Sequence, residues 1–352
     1  MFVVYESLSN IGVLDLDITT VCNAACPECL RYVLTDQQQV YVNPRLTTIN
    51  QHYPVDDLIN QISPLTDIKN IIITGNSGDP MSHPHIGRLC EWLTDRWPDA
   101  EIHIDTNGSL GSALQWQQLA DLKRVSVRFA VDGWEHTNAI YRKQVPWHRL
   151  VANATRWSQL TDFRGTIKTI DFPWNTDERD TIRSWAHAMD FEWVLDPRWS
   201  PQLDDQMWRL DQKHKHNYQH PKPWPENTSP DILDVGADNW VQQGNATIQQ
   251  WIDQGRPLQP DCVQSKGQLI YIHHTGTVWP CCFWSTVKYA SRADEKLQFK
   301  QMFEQVDPTW NSLYHHEITD IIKNPMLKNL EQWWKGTSVE SVCLTCVRQC
   351  GR

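Results

Sequence analysis

No uninterrupted apolar run in this sequence approaches the roughly 20 residues that cross a bilayer, so no membrane span is expected. Lysine and arginine never gather into a block, and 32 of them stand against 42 acidic residues, a net charge of -10. Broad binding to a phosphate backbone needs clustered cations, so nucleic acid is not an expected partner. The first ten residues carry Glu6 and no basic stretch leading into an apolar core, so no export signal is evident. A cytoplasmic location is therefore expected. Thiols there stay reduced, so the ten cysteines read as ligands more than as disulfides. The sequons at Asn153, Asn227 and Asn245 are then chance matches. The nineteen tryptophans follow no repeat period, which makes most of them packing anchors.

What is present is a globular chain of 352 residues, long enough for a sizeable core, with 40% hydrophobic residues. From residue 11 to about 196, short β-rich runs alternate with helical patterns. Strands are predicted over 13–18, 68–74, 101–105, 125–131, 166–172 and 192–195. Helices are predicted over 55–62, 86–96, 114–122, 147–160 and 181–189. Strands separated by helices imply a parallel sheet with right-handed crossovers. The expected fold class is α/β, a partial (β/α)6 TIM-like barrel with parallel strands. In such folds the site forms on the loops after the strands.

The loop after the first strand carries Cys22, Cys26 and Cys29. Three thiolates on one loop can hold three irons of a [4Fe-4S] cube and leave the fourth open to chemistry. Closely spaced cysteines also suit tetrahedral zinc, which stays open as an alternative. The next strand ends carry Gly75 to Pro80, then Thr106-Asn107-Gly108, then Asp132-Gly133. Turn chemistry alone accounts for any one of these; their shared order across successive strand ends suggests a site.

The C-x3-C-x2-C spacing after a first strand resembles the signature of the radical S-adenosylmethionine (SAM) enzymes. That resemblance implies a SAM-binding [4Fe-4S] cluster on Cys22, Cys26 and Cys29 and reductive cleavage of SAM to a 5'-deoxyadenosyl radical. It implies oxidoreductase-type chemistry by hydrogen abstraction from a substrate, and an external one-electron donor such as a flavodoxin or ferredoxin. Gly78-Asp79-Pro80 is similar to the family's Gly-Gly-Glu-Pro turn, with Ser77 in place of the first glycine. Thr106, Asn107 and Gly108 resemble the turn on the ribose and methionine side. Arg142, ten residues past Asp132, resembles the arginine that meets the SAM carboxylate, a pairing suited to planar guanidinium geometry. No residue stands out as a substrate-side acid, base or radical relay.

After residue 196 the alternation stops, and a Trp- and Pro-rich stretch reaches about residue 261, either a connection or a substrate-capping segment. Cys262 then precedes a predicted hairpin, 268–273 and 277–279, with Gly276 in the turn; Cys281 and Cys282 follow it. Cys343, Cys346 and Cys350 close the chain. This arrangement resembles the twitch or SPASM extension of radical SAM enzymes and implies one auxiliary [4Fe-4S] cluster, with zinc as the alternative. Cys262 and Cys281 match the extension directly, while two or more of Cys343, Cys346 and Cys350 complete the set. Three regions are thus expected: a barrel over 1–196, a connecting or capping segment over 197–261, and a small hairpin-and-helix auxiliary-cluster domain over 262–352. The substrate is read as a peptide, or else a small alcohol or sugar. A non-catalytic zinc or electron-transfer protein is the alternative from another class.

Overall fold

The computed structural model describes residues 11–26, 29–34, 40–44, 46, 50–162, 165–196, 268–286 and 306–327. Positions 222, 223, 225, 249, 250, 252–255, 299, 302, 303, 343, 345 and 346 are also described. The stretch 197–261 lies almost entirely outside them, as do Glu28, Cys262 and Cys350. The chain divides into two compact units, one of residues 1–15, 56–68 and 225–352 and one of residues 16–55 and 69–224.

Strands β1 (Val13–Leu16), β2 (Tyr32–Leu34) and β3 (Val40–Val42) come first, followed by helix α1 (Val55–Ile62). Next come β4 (Asn70–Ile73), α2 (Ile86–Arg96), β5 (Glu101–Thr106), α3 (Ala113–Ala120) and β6 (Val125–Ala130). They are followed by α4 (Asn138–Tyr141), α5 (Trp147–Leu160), β7 (Thr166–Ile170), α6 (Arg179–Ala188) and β8 (Glu192–Asp196). The C-terminal elements are β9 (Leu269–Ile272), β10 (Val278–Trp279), α7 (Cys282–Thr286) and α8 (Ile318–Lys323).

In the unit of residues 16–55 and 69–224, β4, β5, β6, β7 and β8 pair in that order, all parallel. The Thr74 amide donates to the Leu16 carbonyl at 2.9 Å, which sets the end of β1 beside β4. Among the described residues no pairing leads from β8 back to β1, so the sheet is open. Period-two alternation explains its two faces. Ile102, Ile104, Val127, Phe129 and Ile167 are fully buried, and Trp116 of α3 stacks on Phe129 at 5.7 Å while meeting Trp157 of α5 edge-on. Burying side chains of this size contributes about 1.5–3 kcal/mol each. The opposite face alternates to half-exposed polar residues: His103 with Ser126, Asp105 with Arg128, and Lys168 with Asp196.

Helix boundaries follow local chemistry. Ser112 caps α3 by accepting from the Gln115 amide while Gln115 returns a bond to the Ser112 amide, a reciprocal capping box. The antiparallel ribbon of β2 and β3 is an addition to the predicted elements. Each of its strands has three residues, too short for alternation to register.

In the other unit, β9 and β10 form the expected antiparallel hairpin, with Val278 opposite Ile272 and Trp279 opposite Tyr271. Gly276 has φ +77° in its turn, and its amide donates to the His273 carbonyl at 2.8 Å; a positive φ suits glycine. Trp279 of β10, Trp284, Phe299, Phe303 and Trp310 pack as one aromatic cluster.

Candidate cofactor and metal sites

The cysteine loop is pinned by backbone bonds from residues far away in sequence. Thr20 donates to Gln51, Asp79 donates to the Val21 carbonyl at 2.8 Å, and Ala25 donates to Lys143. Within the loop the Cys29 amide donates to the Cys26 carbonyl and the Tyr32 amide to the Cys29 carbonyl. Donors also reach the sulfurs. The Ala24 amide lies 3.3 Å from Cys22 Sγ and Asn107 Nδ2 lies 3.6 Å from it, while Arg142 Nη1 is 3.9 Å from Cys26 Sγ. Burial pushes the Cys22 thiol up to about 12 and the Cys26 and Cys29 thiols to about 11, with Arg142 opposing the rise at Cys26 and Arg31 at Cys22 and Cys29. Without a metal these are neutral thiols; a thiophilic ion displaces their protons and gains their donors.

Asp79 joins two strand-end turns. One carboxylate oxygen accepts from the Met81 amide at 3.0 Å and from Thr106 Oγ1 at 2.9 Å; the other accepts from the Asn107 amide at 2.8 Å. Burial raises its pKa, and these hydrogen bonds oppose the rise. Pro80 starts the short 3-10 turn that Asp79 caps. Gly78 is dictated by close approach, because a Cβ there would stand 2.3 Å from the Thr19 carbonyl oxygen. Gly108 has φ +77°, and its amide donates to Thr106 Oγ1. Asn107 extends the network, donating to Asn23 Oδ1 at 3.0 Å and accepting from Ser109 Oγ at 2.6 Å.

Asp132 is fully buried and accepts from the Ile170 amide at 2.7 Å and from Arg142 Nε at 2.5 Å. Asn138 accepts from the Asp132 amide, and Asn175 donates to the Asp132 carbonyl. The carboxylate thus aims the Arg142 guanidinium toward Cys26. Gly78, Asp79, Pro80, Thr106, Asn107, Gly108, Asp132 and Arg142 therefore stand with the three cysteines around one end of the sheet.

Sequence comparison gives no matching family model and no matching curated protein. Solved structures do match. Streptococcus suis SuiB aligns over 99% of this chain and 73% of its own at a TM-score of 0.56 and 12% identity. SuiB bound to S-adenosylmethionine gives the same TM-score over 97% of this chain and 72% of its own, at 12% identity. SuiB bound to precursor peptide SuiA gives 0.55 over 99% of this chain and 72% of its own, at 11% identity.

The chain has the SuiB fold. At this identity the likeness concerns architecture, and the chemistry of the site is argued from the residues themselves. Those residues fit a thiolate-bound metal, since N–H donors already point at two of the sulfurs and the buried Arg31 Nε has no hydrogen-bond partner among the described residues. Ser77 Oγ, next to Gly78, is likewise buried with no hydrogen-bond partner among the described residues. Arg31, Asn23 and Ser109 were not singled out by the sequence reading. Arg31 had one signal, its place two residues after Cys29; the other two show no sequence signature.

None of the eight described cysteines forms a disulfide. Cys90 is fully buried in α2. In the C-terminal set Cys343 and Cys346 are buried, and the Cys346 amide donates to Cys343 Sγ at 3.3 Å. The indole N–H of the buried Trp284 donates to Cys346 Sγ at 3.3 Å. Cys281 and Cys282 are half-buried at the end of the hairpin. Among the described residues no helix is long and apolar enough to cross a membrane.

Proposed function

We propose that this chain is a radical SAM enzyme that binds a [4Fe-4S] cluster on Cys22, Cys26 and Cys29. The observation that carries this reading is the convergence of the cysteine loop with Asn107 at Cys22 and the Asp132-oriented Arg142 at Cys26. Held there by the three thiolates, a cluster with one open iron would supply one-electron reductive cleavage of SAM and, through it, hydrogen abstraction from a substrate.

The residues of this chain do the rest. Asp79 locks the β4 and β5 turns together, so that Gly78, Asn107 and Gly108 present a fixed edge to the cofactor. Arg142, held by Asp132, offers the rest of its guanidinium to a carboxylate such as that of SAM. Asn107 and the Ala24 amide donate to Cys22 sulfur and favour its thiolate. Cys26 and the turn around Asp79 are buried, which keeps water from those groups.

A peptide is the proposed substrate, supported by the SuiB fold, which in SuiB accommodates the precursor peptide SuiA. The half-exposed polar face of the sheet, with its Asp105–Arg128 and Lys168–Asp196 pairs, suits a ligand rich in amides and charges. The C-terminal cysteines are proposed to hold one auxiliary [4Fe-4S] cluster, with Cys281, Cys343 and Cys346 among its ligands and Cys262 and Cys350 as further candidates. An external one-electron donor of the flavodoxin or ferredoxin kind completes the system. Anaerobic reconstitution with iron and sulfide, followed by dithionite and SAM, tests the reading: 5'-deoxyadenosine should appear. Iron-loaded protein that releases none contradicts it.

A further inference from the structure

Arg31 is a buried cation with no counter-ion among the described residues. It is 5% exposed, and its Nη1 donates to the carbonyl oxygens of Cys22 at 3.0 Å and Ala24 at 3.4 Å. Its Nε is buried with no hydrogen-bond partner among the described residues, and its guanidinium carbon lies 5.3 Å from the centre of the Tyr32 ring. Among the described residues no carboxylate forms an ion pair with it, whereas Arg124, Arg128, Arg142, Arg179 and Arg183 each have one. Holding a guanidinium out of water against neutral carbonyls and one aromatic face is costly. Such a cation is accommodated where an anion joins it.

The anion is implied by its neighbours. Arg31 grips the two carbonyls that bracket the turn between Cys22 and Cys26, and it sits two residues past Cys29. When the three thiols become thiolates on a [4Fe-4S] core, the assembly is a net anion, and reduction makes it more negative. Tyr32 reinforces the grip, its hydroxyl donating to the same Ala24 carbonyl at 3.1 Å. We propose that Arg31 is the counter-ion of the cluster held by Cys22, Cys26 and Cys29, a positioning residue that fixes the loop through two carbonyls and sets its charge against the anion formed there. This inference rests on the radical SAM reading of the site. It assigns to Arg31 a task distinct from that of Arg142, whose charge already has Asp132. A fixed positive charge beside the cluster favours the reduced state and makes its potential less negative.

The test compares wild type, Arg31→Met, which removes the charge at similar length, and Arg31→Lys, which keeps the charge without the planar fork. Each is reconstituted anaerobically with iron and sulfide. Three readouts are taken: iron content, gain in melting temperature on loading, and midpoint potential of the paramagnetic signal that changes when SAM is added. Arg31→Met should shift that potential to more negative values and gain less melting temperature on loading, while Arg31→Lys stays near wild type. Iron retained by Arg31→Lys and lost by Arg31→Met also supports the assignment. It is overturned if Arg31→Met keeps the wild-type potential and gain, or if Arg31→Lys departs from wild type as far as Arg31→Met does. Loss of iron from both variants reduces Arg31 to loop geometry and likewise overturns it. Wild-type protein that takes up no iron, or shows no signal responsive to SAM, removes the reading of the site itself and this inference with it.

Discussion

Asp132 and Arg142 form an ion pair with Arg142 Nε 2.5 Å from Asp132 Oδ2, the carboxylate fully buried and the guanidinium reaching on to Cys26 Sγ at 3.9 Å. The pair thus connects the β6 turn to the cysteine loop. Asp132→Asn leaves Arg142 charged and unmatched. Removing one partner of a buried pair costs about 3–5 kcal/mol, and partial exposure of Arg142 lowers the expectation to about 2–3 kcal/mol. Urea unfolding measures this loss. Arg142→Lys keeps the charge but loses the planar fork, so SAM affinity measured by titration calorimetry on iron-loaded protein should fall about tenfold or more, while folding stability changes less than in Asp132→Asn.

Asp79 serves three donors from two turns. In Asp79→Ala the Met81 amide, Thr106 hydroxyl and Asn107 amide lose their acceptor. Each buried orphan costs about 1–3 kcal/mol, so the apoprotein should unfold at markedly lower denaturant. Asp79→Asn keeps one carbonyl oxygen and should lose roughly half as much. Equal stability of Asp79→Ala and wild type would show that the two turns are held by other contacts.

His83 gives the fold an acid limit. Its ring is buried, donating from Nε2 to the Tyr53 carbonyl at 2.9 Å and accepting at Nδ1 from the His85 amide at 3.1 Å, with the His52 ring 4.8 Å away. Burial lowers its pKa to about 4 from an ordinary 6.5, with the charges of His52 and His85 acting in the same direction and the bond to Tyr53 opposing. Between these values the unfolded chain binds more protons than the folded one, so stability rises with pH through that window and is lost as pH falls. The full effect is about 3 kcal/mol. Chemical denaturation at pH 4.5 and 7 should show it, and His83→Gln should flatten the difference.

Much of the scaffold was legible in the sequence. The helix predicted over 86–96 is α2 to the residue, and the strand predicted over 101–105 is β5 less its final Thr106, because amphipathic periods of 3.6 and 2 are sustained over those lengths. The hairpin turn at Gly276 was marked by its glycine. The β2–β3 ribbon was not, being too short to show a period. In the site, residue types with a spacing signature stood out, namely Cys22, Cys26, Cys29, Asp79 and Arg142. Asn23 and Ser109 did not, since the bonds that tie Asn23 to Ser109 and to Asn107 span about 85 residues of chain, and side-chain pairing at that separation leaves no local pattern. Arg31 escaped because an arginine after a cysteine motif is ordinary until its burial is known.

The C-terminal cysteines predict a separable phenotype. If Cys343 and Cys346 bind an auxiliary cluster, Cys343→Ala should lower the iron content while SAM cleavage persists, and product formation should fall far more than cleavage. Elemental analysis of wild type loaded aerobically with zinc and anaerobically with iron distinguishes the metals. Zinc retained through iron reconstitution would remove the auxiliary cluster from the account.

The central claim is that Cys22, Cys26 and Cys29 hold the cluster that opens SAM. Anaerobically reconstituted wild type and Cys26→Ala should be incubated with dithionite and SAM, and 5'-deoxyadenosine quantified by chromatography and mass spectrometry. The account predicts 5'-deoxyadenosine from wild type and none above background from Cys26→Ala, with both proteins giving the same melting temperature as apoproteins to within a few degrees. Iron-loaded wild type that releases no 5'-deoxyadenosine, or Cys26→Ala that releases as much as wild type, would contradict it.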